Sequence, residues 1–219
     1  MNSTHEATQS SAESIEAQLT ARMRRAGRGS VWCAERCGDG FARNAVDQAL
    51  VRMTQRQVLV RIAHGVYLYP NPHPWLGYAP AARADVLEML ATIGVGPLIA
   101  TGATAAAQYG LVTHPSDTYE YAAIGISRTI ETPWWAMQIR PIAPRFVVGI
   151  HPQTATVIQA MRYIGQASWQ HSHIESLRSH LSTTALQTVC AEAAHAPVWM
   201  RRHLRDITDQ GLGVMADVL

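Results

Sequence analysis

The sequence predicts an α+β protein of two domains, and three observations lead to that prediction. A helical pattern followed by two short β-prone runs fills residues 42–69, a proline-rich segment follows, and strand patterns give way to helical ones between residues 119 and 207. With 219 residues, 47% of them hydrophobic, the chain can build two cores. We expect a disordered leader at residues 1–12, a first domain at 13–70, a linker at 71–80 and an α+β domain at 81–219.

The first domain begins with a predicted helix. Apolar residues recur at helical spacing in residues 15–25, and Gly27 and Gly29 follow where helices commonly end. Before the next long pattern we expect a short strand at 30–32, a brief helix at 33–37 and a turn at 38–40.

Residues 42–55 carry the most regular helical pattern. One face is apolar, with Ala42, Ala45, Val46, Ala49, Leu50 and Met53. The opposite face is polar, with Arg43, Asn44, Asp47, Gln48, Arg52 and Gln55. Because Arg pairs bidentately with guanine, and Asn or Gln with adenine, this polar face suits a DNA major groove. An ordinary surface helix, polar for solubility alone, is the alternative.

Two β-prone runs follow this helix, at residues 58–62 and 66–69. Gly65 between them permits the positive φ of a tight hairpin turn. We expect Val58, Val60 and Ile62 to face the core, with Arg61 and His64 at the outer edge and tip. The pattern therefore predicts a winged helix-turn-helix, in which Arg61 can reach a phosphate or a minor groove.

The charge distribution favours the same end of the chain. Between residues 20 and 70, nine arginines face three acidic residues, whereas from residue 71 onward nine arginines face ten acids. A local basic surplus is the usual electrostatic footprint of a nucleic-acid-binding protein. A solvated charged face is the alternative interpretation.

Five phrases of the sequence resemble the AbiEi-type antitoxins of bacterial type IV toxin–antitoxin systems. Together they span about residues 13–210, in the order that the family has: FARNAVDQALVRM, VLVRIAHGVYLYP, IATGATAAAQYGL, IQAMRYIG and APVWMRRHL. The first two correspond to the family's recognition helix and wing. The others correspond to the start, a following helix and the closing helix of its second domain.

The resemblance implies a transcriptional autorepressor that is also an antitoxin. Its winged helix would bind double-stranded DNA at its own operator, with inverted repeats, and its second domain would counter a nucleotidyltransferase-like toxin. The predicted DNA-binding residues are Arg43, Asn44, Asp47, Gln48, Arg52, Arg61 and His64. His64 departs from the family, which commonly has a basic residue there, whereas histidine is mostly neutral at pH 7. A solitary winged-helix regulator without a toxin is an alternative.

The second domain reads as a small mixed or antiparallel sheet followed by helices. Helices are expected at residues 81–93, 103–109, 157–164, 174–181, 185–194 and 198–207, and strands at 98–101, 119–124, 126–132 and 135–142. For the tryptophans at 134, 135 and 199, packing in the core and anchoring a protein interface are both open.

The motifs of several enzyme classes are absent from the sequence. All eighteen basic residues are arginines, so a phosphate-binding loop that ends in Gly-Lys and a Schiff-base lysine are both excluded. A less favoured alternative is a metal-dependent nuclease with an appended winged helix that uses Asp117, Glu120 and Glu131. We predict that the protein is not an enzyme.

No metal or cofactor is predicted. Cys33 and Cys37 would share a helical face, but a zinc site needs four ligands and no second pair has a matching spacing. We expect both thiols to pack as small hydrophobes. The three histidines at 171, 173 and 180 are expected on a solvated loop.

The sequence also favours a cytoplasmic protein. It has no run of about 20 apolar residues, and its polar N-terminus lacks the core of a signal peptide. Three cysteines, an odd number, suit a compartment in which thiols stay reduced.

Overall fold

A computed structural model describes residues 3–38, 40–113 and 116–209. It is a mixed α+β protein with small sheets, so the predicted α+β class is confirmed at that level. The chain divides into two compact units, Met1–Gly96 and Pro97–Leu219. Each unit is described below by itself.

The first unit has four helices and two small sheets. In chain order its elements are α1 (Ser3–Ala26), β1 (Val31–Trp32), α2 (Ala34–Cys37), α3 (Arg43–Gln55), β2 (Val60–Ala63), β3 (Val66–Leu68), β4 (Pro72–His73), β5 (Gly77–Tyr78) and α4 (Arg83–Leu90). An irregular helical turn, Ala91–Val95, follows α4. The predicted turn at 38–40 includes Asp39, which lies outside the described residues.

The larger sheet of this unit has three antiparallel strands in the order β1-β3-β2. Leu68 of β3 lies between Val31 of β1 and Val60 of β2. The register of β2 shifts between Arg61 and Ala63, which marks a bulge just before the turn. β4 and β5 pair separately as a second antiparallel hairpin.

The core of the first unit lies between the helices and the larger sheet. Fully buried residues of α1 and α3 pack in one cluster with Leu59 and aromatic residues of β1 and β3. Each such side chain contributes about 1.5–3 kcal/mol relative to exposure. The helical pattern of residues 42–55 therefore has the predicted cause, a buried stripe formed by Val46, Ala49, Leu50 and Met53.

α1 begins earlier than the sequence analysis expected. Residues 3–12, assigned there to a disordered leader, are the first turns of the helix. No proline or glycine interrupts residues 3–26. Once the segment around Leu19 and Met23 is docked, helix propagation toward the N-terminus costs little per residue.

The division between the units also differs from the expected linker at 71–80. Residues 72–78 contain the β4–β5 hairpin, and α4 packs against β1 and β3 of the first unit. Val86, Met89 and Leu90 of α4 are buried. The chain therefore passes to the second unit only after Gly96.

The second unit combines a four-stranded sheet with helices. Its elements are β6 (Ile99–Ala100), α5 (Gly102–Gln108), β7 (Thr118–Ile124), β8 (Arg128–Glu131), β9 (Ala136–Ile142), α6 (Pro152–Ile164), α7 (His171–His180), α8 (Thr183–Ala191) and α9 (Val198–Asp209). The strand order is β6-β7-β9-β8, and only the β7–β9 pair in that sheet is parallel. α5 packs on α6 and on β7, and α9 packs on α7 and α8.

Two details of the sequence analysis need correction. Leu59, just before β2, is the fully buried residue of its run, whereas Val58, Val60 and Ile62 are only half-buried, because the edge strand β2 is covered on one side alone. His171, His173 and His180 lie on α7 rather than on a loop, since Gln170 and His173 form a capping box that starts the helix.

None of the helices in the described ranges is both long and apolar enough to cross a membrane.

Candidate nucleic-acid interface

The start of α3 is held by ion pairs on its own surface. Arg43 Nη1 donates to Glu35 Oε1 of α2 at 2.7 Å, and Arg43 Nε donates to Asp47 Oδ2 at 3.0 Å. Burial alone would raise the pKa of Glu35, but hydrogen bonds from its own backbone N–H, from Arg43 and from the Cys33 thiol lower that pKa overall. The Arg43 guanidinium is therefore positioned between two carboxylates.

Four side chains form a continuous exposed stripe along α3, which we call the reading stripe: Asn44, Gln48, Val51 and Gln55. Their spacing of i, i+4, i+7 and i+11 places them on one face of the helix. Val51 is 45% exposed, although it is apolar. The sequence analysis did not single out Val51. The signal was present, because Val51 falls between two glutamines on the polar face.

Arg52 lies apart from this stripe and points toward α1. Its Nε donates to Glu16 Oε1 at 2.6 Å, and Arg56 Nη1 donates to Glu16 Oε2 at 2.9 Å. The Glu16 side chain is only 12% exposed. Arg52, predicted from the sequence as a DNA-binding residue, thus forms part of the contact between α1 and α3.

The β2–β3 hairpin brings Arg61 and His64 together at its exposed end. Arg61 Nη2 lies 2.7 Å from His64 Nδ1, and Arg61 Nε donates to the Ala63 carbonyl at 3.4 Å. Gly65 supplies the positive φ of the turn. Because a guanidinium can only donate, Nδ1 must be the acceptor, so this contact requires the neutral ring with its proton on Nε2.

Other arginines of the first unit lie over aromatic rings and donate to backbone carbonyls. These contacts join Arg22 to Phe41 and the Cys37 carbonyl, Arg28 to Tyr69 and the Pro70 carbonyl, and Arg36 to Trp32 and the Val31 carbonyl. Their positive charges remain uncancelled by these neutral partners. The basic surplus of the sequence is therefore spread over the surface of this unit.

A cavity of about 600 Å³ lies beside β2 in the first unit. Its walls come from the end of α3, from β2 with Arg61, and from the β4–β5 hairpin with Tyr78. At the tip of that hairpin, Trp75 is 89% exposed. The second hairpin therefore lies next to the strand that carries Arg61.

The thiols at 33 and 37 are buried, as the sequence analysis expected. Burial raises the pKa of Cys37 to about 12 and also raises the pKa of Cys33. In the described parts of the chain, no three His, Cys, Asp or Glu side chains form a group that could hold a metal ion.

The acidic residues considered for a nuclease site lie in or beside the sheet of the second unit. Glu120 Oε2 accepts from the Ala103 backbone N–H at 3.2 Å, at the start of α5. A Cβ at Gly102 would lie 1.8 Å from the same oxygen, so this contact requires glycine. Glu120 thus caps a helix, while Asp117 and Glu131 are exposed.

The tryptophans of the second unit fall into two groups. Trp134 and Trp135 are half-buried at a turn, where their backbone N–H groups donate to the Thr132 hydroxyl. Trp199 packs edge-on against Trp169, with ring centroids 6.3 Å apart, and His173 and His203 complete this aromatic cluster. Trp199 therefore helps to join α7 and α9.

Comparisons with known proteins give a family and one distant structure. The model of DUF6088, a family of unknown function, matches residues 18–188. The crystal structure of the RV2827C protein from Mycobacterium tuberculosis is 15% identical with a TM-score of 0.41, and the match covers 90% of this chain and 75% of that chain. No curated protein matches the sequence. The family match includes residues of both units, so α3 and its exposed face lie within it.

Proposed function

This chain belongs to the DUF6088 family, whose function is unknown, and we propose from its own residues that it is a DNA-binding transcriptional regulator. The observation that carries the proposal is the solvent-facing side of α3. It presents a regular stripe of amide side chains next to a hairpin whose edge carries an exposed arginine.

The arrangement of the elements around α3 supports this function. The order α1-β1-α2-α3-β2-β3, with an antiparallel sheet ordered β1-β3-β2, is typical of winged helix-turn-helix domains. In such domains the second helix of the helix-turn-helix enters the major groove. Here that helix is α3, and the wing is the β2–β3 hairpin.

The charges of the first unit support it as well. A helix that was polar for solubility alone would need neither a neighbouring basic hairpin nor a local surplus of arginines. Arg61 is exposed, and its guanidinium contacts only neutral groups in the hydrogen bonds described above. A phosphate oxygen would be a stronger acceptor for it than a carbonyl.

The proposal extends to autorepression and to an antitoxin role, on the strength of the resemblance to AbiEi-type antitoxins. Three of the five similar phrases fall in the second unit, at residues 99–111, 158–165 and 196–204. That unit carries no basic surplus, which is consistent with a task other than DNA binding. The toxin would be a nucleotidyltransferase-like protein encoded alongside.

Footprinting of the purified protein on the DNA upstream of its own gene tests the regulatory function. We expect protection of a discrete site, at a protein concentration at which random DNA of equal length stays free. Protection that is equal on random DNA would contradict sequence-specific regulation. Co-expression with the neighbouring gene from an unrelated promoter tests the antitoxin role, which fails if that gene is not toxic.

A further inference from the structure

The reading stripe of α3 has a single chemical character. Asn44, Gln48 and Gln55 end in amides, and the fourth member, Val51, ends in two methyl groups. All four side chains are exposed. At 1.5 Å per residue the stripe is about 16 Å long, so it can face about five base pairs.

Amides and methyl groups match the two halves of an A·T pair in the major groove. Adenine presents an N7 acceptor and an N6 donor, which an Asn or Gln amide can engage together, and thymine presents its 5-methyl group. A depression of about 340 Å³ on α3 is lined by Gln48, Val51 and Gln55, together with Asp47 and Arg52. A thymine methyl group placed there would contact Val51 between two adenine-reading side chains.

The residues that would read guanine or cytosine are already engaged. Arg43 is held by Glu35 and Asp47, which also engages the Asp47 carboxylate that cytosine N4 would otherwise donate to. Arg52 is held by Glu16 of α1. Reading guanine would therefore require breaking one of these charge-assisted pairs, whereas the reading stripe is free to bind without any rearrangement of ion pairs.

Resting on the proposed DNA-binding function, we infer that α3 reads A·T base pairs through its reading stripe, with Val51 contacting the 5-methyl group of a thymine. The specificity of the operator half-site then comes from adenine-directed amides and one apolar contact. The arginines at 43 and 52 hold the helix in place.

Single-atom changes in the DNA test this inference on the full-length protein. Replacing each thymine of the footprinted half-site by deoxyuridine removes only the methyl group. We expect one such position to lose about three- to tenfold in affinity with the unaltered protein, because one apolar contact is lost. The Val51→Ala variant should bind the normal site more weakly and show no further loss at that position.

A matched control is Val198→Ala in the second unit, since Val198 is 78% exposed and undergoes the same change of side chain. It should keep the full deoxyuridine effect. In a second series, 7-deazaadenine should weaken binding and 7-deazaguanine should not, because only the adenine N7 acceptor is used.

Insensitivity to deoxyuridine at every thymine, a deoxyuridine effect that survives in Val51→Ala, or a dominant effect of 7-deazaguanine would each overturn the inference while leaving DNA binding intact. The absence of any footprint on upstream or random DNA would overturn the proposed function, and this inference with it.

Discussion

Individual side chains show which parts of the interface a linear pattern can predict. Arg43 and Arg52 both fall on the polar face of α3, and the sequence offered no means of telling their roles apart. Their partners decide those roles. Glu35 lies eight residues from Arg43, whereas Glu16 lies on a different helix, 36 residues before Arg52. Only the packing of α1 on α3 reveals the second pair.

Substitutions at Arg52 and Gln48 should therefore have opposite signatures. Arg52→Ala breaks a half-buried ion pair and should lower the free energy of unfolding by about 1–2 kcal/mol, between the usual values for exposed and buried pairs. Gln48→Ala should leave stability unchanged and weaken operator binding by about 1–3 kcal/mol, because one bidentate base contact is lost. Urea unfolding and gel-shift titration measure the two effects.

Arg56→Ala serves as the matched control for Arg52, because it removes the more exposed partner of the same Glu16 carboxylate. Its loss of stability should be smaller than that of Arg52→Ala. An Arg52→Ala protein with native stability and altered base preference would assign Arg52 to the DNA interface after all.

The cysteines allow a second prediction at this scale. The pKa of Cys37 is raised to about 12 and that of Cys33 is also raised, chiefly by burial, so both thiols stay protonated at pH 8. We expect Ellman's reagent to modify Cys190 first and the other two only after unfolding. Replacing Cys190 by Ser should abolish the early phase. Rapid modification of three thiols in the folded protein would contradict this assignment.

Among the elements, those with local causes were predicted and those with distant causes were not. The stripe that defines α3 and the glycine turn between β2 and β3 lie within short stretches of sequence, so their periodicity and turn chemistry sufficed. The β4–β5 hairpin was missed because prolines at 72 and 74 suggested an unstructured linker. The burial of Leu59 in place of Val60 depends on how an edge strand meets the core, which alternation alone does not specify.

The β2–β3 hairpin carries a prediction about phosphate contact. If Arg61 binds a phosphate, Arg61→Ala should weaken binding equally on operator and random DNA and reduce the slope of log affinity against log salt by about one unit. Arg140→Ala, an exposed arginine of the second unit, should leave that slope unchanged. A loss confined to the operator would instead place Arg61 against a base.

At the scale of the molecule, the sequence predicted two parts but misplaced the residues between them. Composition marked 71–80 as a linker because prolines cluster there. The apolar face of α4, however, is buried in contact with β1 and β3, and a helical pattern does not state which sheet it will cover. The separation of charge was predicted correctly from counts, since it needs no knowledge of contacts.

The position of α4 gives the last prediction, which concerns fragments. A fragment of residues 1–96 keeps α4 and should unfold cooperatively and protect the same operator site as the full chain. A fragment of residues 1–80 loses three buried side chains, each contributing about 1.5–3 kcal/mol, out of a total stability of about 5–15 kcal/mol for a typical domain. It should melt at a lower temperature and bind only when cooled. Circular dichroism melts and footprinting compare the two fragments, and equal stability would show that α4 does not belong to the first unit in solution.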